Sequence, residues 1–157
     1  MARPLLENQY AIPFYPALAV ALGGSSTGAV KALLVQQIHY WCCHNKDTKK
    51  DAKRDGCWWT RRSVAGWLED FPCFAKNTIV RALNDLRASG IVVAASFSAN
   101  QGDTTLWYRI DYRVLRSVLK ACPETAESKL DDYGLAPLPF HKREDGHYYD
   151  EKGYRIL

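Results

Sequence analysis

The stretch from Phe71 to Val92, FPCFAKNTIVRALNDLRASGIV, decides how the rest of the chain is read. On a helical wheel, at about 100° per residue, Ile79, Leu83 and Leu86 fall in one narrow stripe with Ala82 beside it. This predicts an amphipathic helix from about Lys76 to Ser89, stopped by Gly90. Its opposite side gathers Asn77, Arg81, Asn84 and Ala88, flanked by Lys76, Asp85 and Arg87. Taken alone, that polar face suits water as well as a ligand, since most surface helices carry Asn, Arg and Asp outward.

The segments on either side give the face its context. Upstream, SVAGWLEDF reads as a short helix capped by Ser63 that buries Val64, Trp67 and Leu68 and ends near Asp70, ahead of Pro72. Downstream, IVVAASF and TTLWYRIDY are β-branched and aromatic runs joined by SANQGD, the pattern of a hairpin. Before the short helix, CWWTRR is a β-like piece. NKDTKKDAKRDG (residues 45–56) has no apolar period and is expected to be a solvated loop. Nearer the N-terminus, a short helix from about Pro16 is closed by Gly23 and Gly24. A long helix follows, capped by Ser25 or Ser26, with Val30, Leu33, Leu34, Ile38 and Trp41 on the helical period. A last helix, about Tyr112 to Ala121, places Val114, Leu115, Val118 and Leu119 on one side.

That order predicts a mainly α fold with a small β-sheet (α+β), namely a winged helix-turn-helix domain over residues 1–122. A flexible acidic C-terminal extension is expected over residues 123–157, with a small hairpin around Asp150-Glu151-Lys152-Gly153 packed by Tyr148, Tyr149 and Tyr154.

Charge divides the same way. Residues 1–122 hold 16 Lys and Arg against 9 Asp and Glu, a balance of +7, whereas residues 123–157 hold 5 against 8, or −3. A basic body favours a polyanion, because neutralised phosphates release condensed counterions. No run of about 18 uncharged apolar residues occurs. With no apolar core in MARPLLENQY, this predicts a cytoplasmic protein without a membrane span. Five cysteines, none in a CxxC pair, fit reduced thiols. His39, Cys42, Cys43 and His44 lack zinc-ligand spacing and are expected to end a largely buried helix. The chain has no GxSxG, Walker loop or HExxH, and Glu69 and Asp70 are expected to face solvent. Neither catalysis nor a cofactor or metal is therefore expected.

For a DNA-binding reading, Asn77, Arg81 and Asn84 are the candidate base readers, since Asn pairs with adenine and Arg with guanine in the major groove. Lys76, Arg61 and Arg62 lie near the starts of the two module helices, where positive charge favours phosphate. Lys49, Lys50, Lys53 and Arg54 form, with Lys46, a basic stretch that also suits a solubilising loop. Trp58, Trp59, Trp107 and Tyr108 lie in short strands, where alternation sends about half inward and favours packing over base stacking.

FYPALAVALG, LLVQQIHYW, SVAGWLEDFPCFAKNTIVRALNDLRASGIV and TTLWYRIDY, in that order between Ile12 and Leu119, resemble the winged-helix N-terminal domain of phage and integrative-element replication initiation proteins, often called DnaD-like. The resemblance implies double-stranded DNA binding at an origin by a mobile-element protein. A transcriptional regulator on the same scaffold is the alternative, as is a protein-interaction module acting on host replication or defence proteins, in the manner of anti-CRISPR inhibitors. Homodimerisation is compatible with any of these. Family members carry Ser or Thr where this chain has Ala75, so Asn77 is divided between helix cap and base reader. The wing SANQGDTTL has no positive charge, and the tail is short for a helicase-recruiting domain.

Overall fold

The computed structural model describes residues 5–6, 11–48, 52–54, 56–97, 102–121, 140–142, 144–145 and 148–150. Its first helix, α1 (Pro16–Ala21), has proline at its first position, as expected for a residue with no N–H to lose there. Gly23 and Gly24 follow with φ of 115° and 70°, and the Gly24 N–H donates to the Ala19 carbonyl at 2.9 Å. The chain then turns into α2 (Ser25–Thr48), which buries Val30, Leu34, Val35, Ile38 and Cys42. The two helices meet at Gly28, where a Cβ would stand 2.3 Å from the Ala19 carbonyl oxygen. Backbone on backbone has little room to yield, so Gly28→Ala is expected to cost about 2 kcal/mol and lower the urea midpoint without changing the denaturant slope.

The solvated loop expected over residues 45–56 is corrected by the structure. α2 runs three residues beyond Asn45, to Thr48, and β1 (Lys53–Arg54) pairs antiparallel with β2 (Cys57–Trp58) around Gly56, whose φ is 77°. The helix end carries no apolar stripe because a polar group anchors it. Asn45 is buried, and its Nδ2 donates to the Trp59 carbonyl at 3.0 Å. Ala52 is buried as well and accepts from the Trp59 N–H at 3.1 Å. A single buried amide satisfied in this way leaves no periodic trace in a sequence.

Beyond β2 the order is β3 (Thr60–Arg62), α3 (Val64–Asp70), α4 (Lys76–Ala88), β4 (Val92–Ala95), β5 (Leu106–Ile110) and α5 (Tyr112–Ala121). The Ser63 hydroxyl caps α3, accepting from the Gly66 N–H at 3.0 Å. Asp111 caps α5 in the same manner, its Oδ1 accepting from the N–H groups of Arg113 and Val114. β3, β5 and β4 form an antiparallel sheet with β5 in the middle, Thr60 opposite Tyr108 on one side and Ala94 opposite Tyr108 on the other. Strand alternation therefore divides β5. Tyr108 and Ile110 are buried among α2, α3 and α4, while Trp107 and Arg109 take the other face. Trp67, Leu34, Ile38, Ile79, Leu86 and Val92 are the most enclosed apolar side chains among the described residues. Leu115 and Leu119 of α5 join this core, and Val114 and Val118 pack at its edge, as the sequence predicted.

The architecture is α+β, with helices and small antiparallel sheets. A further antiparallel pair, β6 (Phe140–Lys142) and β7 (Tyr148–Asp150), forms a small C-terminal hairpin, while residues 151–153 of the expected turn lie outside the described residues. The strands are joined through residues 143–147, with a turn at Glu144 and Asp145, and Asp150 stands inside β7 opposite Phe140. Asp145-Gly146 is a stronger turn signal than Lys152-Gly153, and Tyr148 and Tyr149 favour strand. Tyr154 and the 122–139 segment lie outside the described residues.

Candidate nucleic-acid interface

The candidate surface is built on α4. The apolar stripe holds as read, with Ile79, Ala82, Leu83 and Leu86 all buried. At the C-terminal end the Ser89 hydroxyl donates to the Leu86 carbonyl at 2.8 Å and Gly90 takes φ of 81°, where a side chain would be strained. At the N-terminal end Ala75 is the capping residue, with extended backbone and no side-chain cap. Asn77 is therefore not the cap. It is the second residue of the helix and lies exposed, because a residue already in helical backbone cannot fold back over the first turn.

Lys76, Asn77, Arg81, Asn84 and Arg87 are all exposed on the outward side of α4. Among the described residues none of them has an ion pair or a side-chain hydrogen bond. Asp85, at the edge of the same face, is paired with Lys31 of α2 at 3.6 Å, an ion pair whose carboxylate is half in solvent.

The flanking cations are placed differently. Arg62 grips Asp70 with two nitrogens, Nε to Oδ2 at 3.1 Å and Nη2 to Oδ1, and its guanidinium lies over Trp41 and Trp67 at 5.2 and 5.9 Å from the ring centres. The Asp70 side chain is only 12% exposed, so the solvent-facing position expected for it is corrected, whereas Glu69 is exposed. The reason is the paired fork: a carboxylate leaves water readily when a planar guanidinium supplies two donors. This clamp joins β3 to α3. Arg61, on the opposite face of β3, donates from Nη2 to Asp103 Oδ2 at 2.7 Å. Asp103 also accepts from the Thr105 N–H at 3.0 Å, and that backbone bond, with the Arg61 contact, holds its carboxyl below the ordinary value.

Arg54 lies over Trp107 and Phe97, 5.7 and 5.9 Å from the ring centres, and Lys53 lies 6.0 Å from the Trp58 ring centre. Trp59 and Tyr108 are buried and Trp58 and Trp107 half-buried, so the aromatics of the small strands serve mainly as packing. Lys49 and Lys50 lie outside the described residues. The partners that sequence reasoning missed are Lys31, Asp70 and Asp103. Each is distant in sequence from, or on a different element than, the residue it neutralises, and no local spacing signals such a pairing.

The Cys and His cluster, residues 39–44, lies in the C-terminal half of α2, which runs on to Thr48. His39 Nδ1 is 2.5 Å from the Tyr112 hydroxyl, and burial lowers the His39 pKa, which favours the neutral ring. The Cys43 sulfur is 3.8 and 3.9 Å from the two ring nitrogens, thus beside the ring and not in line with one lone pair. That placement does not suit proton transfer from thiol to imidazole. Cys42 is buried, donates to the Tyr108 carbonyl at 3.6 Å and has its thiol pKa pushed well up by burial. Among the described residues no group of His, Cys, Asp and Glu could hold a metal ion, and no helix is long and apolar enough to cross a membrane.

Compared with protein-family models, with characterised proteins and with solved structures, the chain gives no match.

Proposed function

We propose that this chain is a winged helix-turn-helix protein that binds double-stranded DNA, with α3 and α4 as the paired helices, α4 in the major groove and the β4–β5 hairpin as the wing. The observation that carries this reading is the outward face of α4. Asn77, Arg81 and Asn84 stand at i, i+4 and i+7, exposed and unpartnered among the described residues, while Arg61 and Arg62 nearby are already paired. At about 1.5 Å per residue, Asn77 and Asn84 are about 10 Å apart along the axis, a span of about three base steps. Lys76 stands at the first turn, where the helix N-terminus and its positive charge both favour a phosphate. The reading is of a binding protein with no catalytic step. Replication initiation in a mobile element is the process the sequence resemblance favours.

The test is a titration of duplex DNA from the parent element at several salt concentrations. Affinity should fall as salt rises, with a logarithmic slope near −0.9 for each phosphate neutralised. Absence of binding at low salt overturns the reading.

One observation favours a second reading, as a protein-interaction module. The wing residues 102–105 carry no cation, and their one carboxylate, Asp103, takes the charge of Arg61. Recovery of a stoichiometric host protein that survives nuclease treatment, without DNA affinity, would decide for it.

The Arg61–Asp103 pair gives a further prediction. Asp103→Asn removes the carboxylate and leaves Arg61 available for phosphate, so DNA affinity is expected to rise about two- to fivefold and the salt slope to steepen by about one contact. Arg61→Ala should then abolish that gain in the double variant.

A further inference from the structure

Beside the stripe of Asn77, Arg81 and Asn84, α4 carries two flanks of different chemistry. On the helical wheel Lys76 and Arg87 fall within about 20° of each other on one flank, three turns apart, and Thr78 and Asp85 fall on the other. Both cations are exposed, and among the described residues neither has an ion pair or a side-chain hydrogen bond. At about 1.5 Å per residue they stand about 16 Å apart along the axis, so they reach different phosphates of a backbone laid beside the helix.

Packing fixes which way each flank looks. Asp85 is joined to Lys31 of α2 at 3.6 Å, so its flank borders α2. A phosphate brought there meets a carboxylate whose side chain is 48% exposed and a lysine already paired. The opposite flank borders the sheet. Burial raises the pKa of the Tyr108 phenol on β5, and the charge of Arg87 opposes that rise, which places the guanidinium on this side. The connection between β4 and β5, residues 96–105, contains no Lys or Arg, and Arg61 of the neighbouring strand is held by Asp103. A duplex lying against this side therefore finds free cations on the helix and none on the hairpin.

We propose that Lys76 and Arg87 form a one-sided phosphate clamp on the sheet flank of α4, supplying the backbone contacts that the uncharged hairpin lacks. Its ligand is the phosphate backbone along one wall of the major groove, gripped at both ends of the helix, while the α2 flank grips none. The clamp rests on the DNA-binding reading and adds to it the side from which the duplex is held.

The full-length wild-type chain, Lys76→Ala, Arg87→Ala, their double variant and Lys31→Met are each titrated with duplex DNA from the parent element at several salt concentrations. Lys76 and Arg87 are exposed, so their truncation is expected to leave the domain folded. Each single substitution should make the logarithmic salt slope shallower by about 0.9, and the double variant by about 1.8, with affinity falling alike on related and unrelated duplexes. Lys31→Met keeps the aliphatic stem and should leave the slope unchanged. Slopes unmoved by Lys76→Ala and Arg87→Ala, with the wild type still binding, would overturn the clamp and leave the DNA reading intact. An equal flattening by Lys31→Met would overturn its one-sidedness, and absence of wild-type binding at low salt would overturn both readings.

Discussion

Arg81→Ala is expected to weaken duplex DNA binding by about 1–3 kcal/mol, up to about a hundredfold, and to relax base preference at one position of the site. Arg81 is exposed at the middle of the α4 face, between Asn77 and Asn84, and among the described residues its guanidinium has no carboxylate partner to release before it meets a base. Arg81→Lys separates its two roles. Lysine keeps the charge and so the salt slope, but lacks the planar fork, so base preference at that position should fall while non-specific affinity persists. Arg116→Ala serves as the control. Arg116 is equally exposed but lies on α5, so its loss should leave site preference unchanged. Equal losses for Arg81→Ala and Arg116→Ala would mean that α4 is not the reading helix and that binding reports only net charge.

Trp67→Ala should produce the largest loss of stability, about 3–5 kcal/mol, from a domain whose total is on the order of 5–15 kcal/mol. Trp67 is fully enclosed, packs edge-on against Tyr108 with ring centres 5.7 Å apart, and lies under the Arg62 guanidinium. It therefore joins three elements: α3, the central strand β5 and, through Arg62, β3. Removing the indole opens a cavity among them and strips the Arg62–Asp70 clamp of its apolar floor. The thermal midpoint should fall by about 6–20 °C, with DNA affinity at low temperature retained if the fold persists. Trp67→Phe, which refills part of the space, should recover a good share of the loss. A fall of less than about 3 °C for the alanine variant would show that the core is centred elsewhere.

Much of the fold was legible because its elements are governed by local rules. Ser63 before an apolar run, the 3.6-residue period of Ile79, Leu83 and Leu86, Gly90 after it, and two β-rich runs each declare an element within a window of about a dozen residues. The failures lie where a tertiary partner replaces a local signal. Residues 45–48 are helical because Asn45 finds the Trp59 carbonyl, and residues 53–58 are a hairpin because Ala52 and Trp59 are bonded and buried. Asn77 was divided between cap and reader, and the backbone at Ala75 assigned it to the helix face.

The candidate site shows the same division with more consequence. Helical periodicity alone was enough to put Lys76, Asn77, Arg81 and Asn84 together on one outward face, since a helix carries its neighbours three and four residues apart wherever it is placed. Which cations remain available could not be read that way. Arg61, Arg62, Arg81 and Arg109 are alike as letters, yet the fold pairs the first with Asp103, clamps the second to Asp70, leaves the third in solvent and lays the fourth over the Trp59 ring. Charge is a property of the side chain, but its availability depends on groups that approach from other elements, and only packing brings those groups within reach.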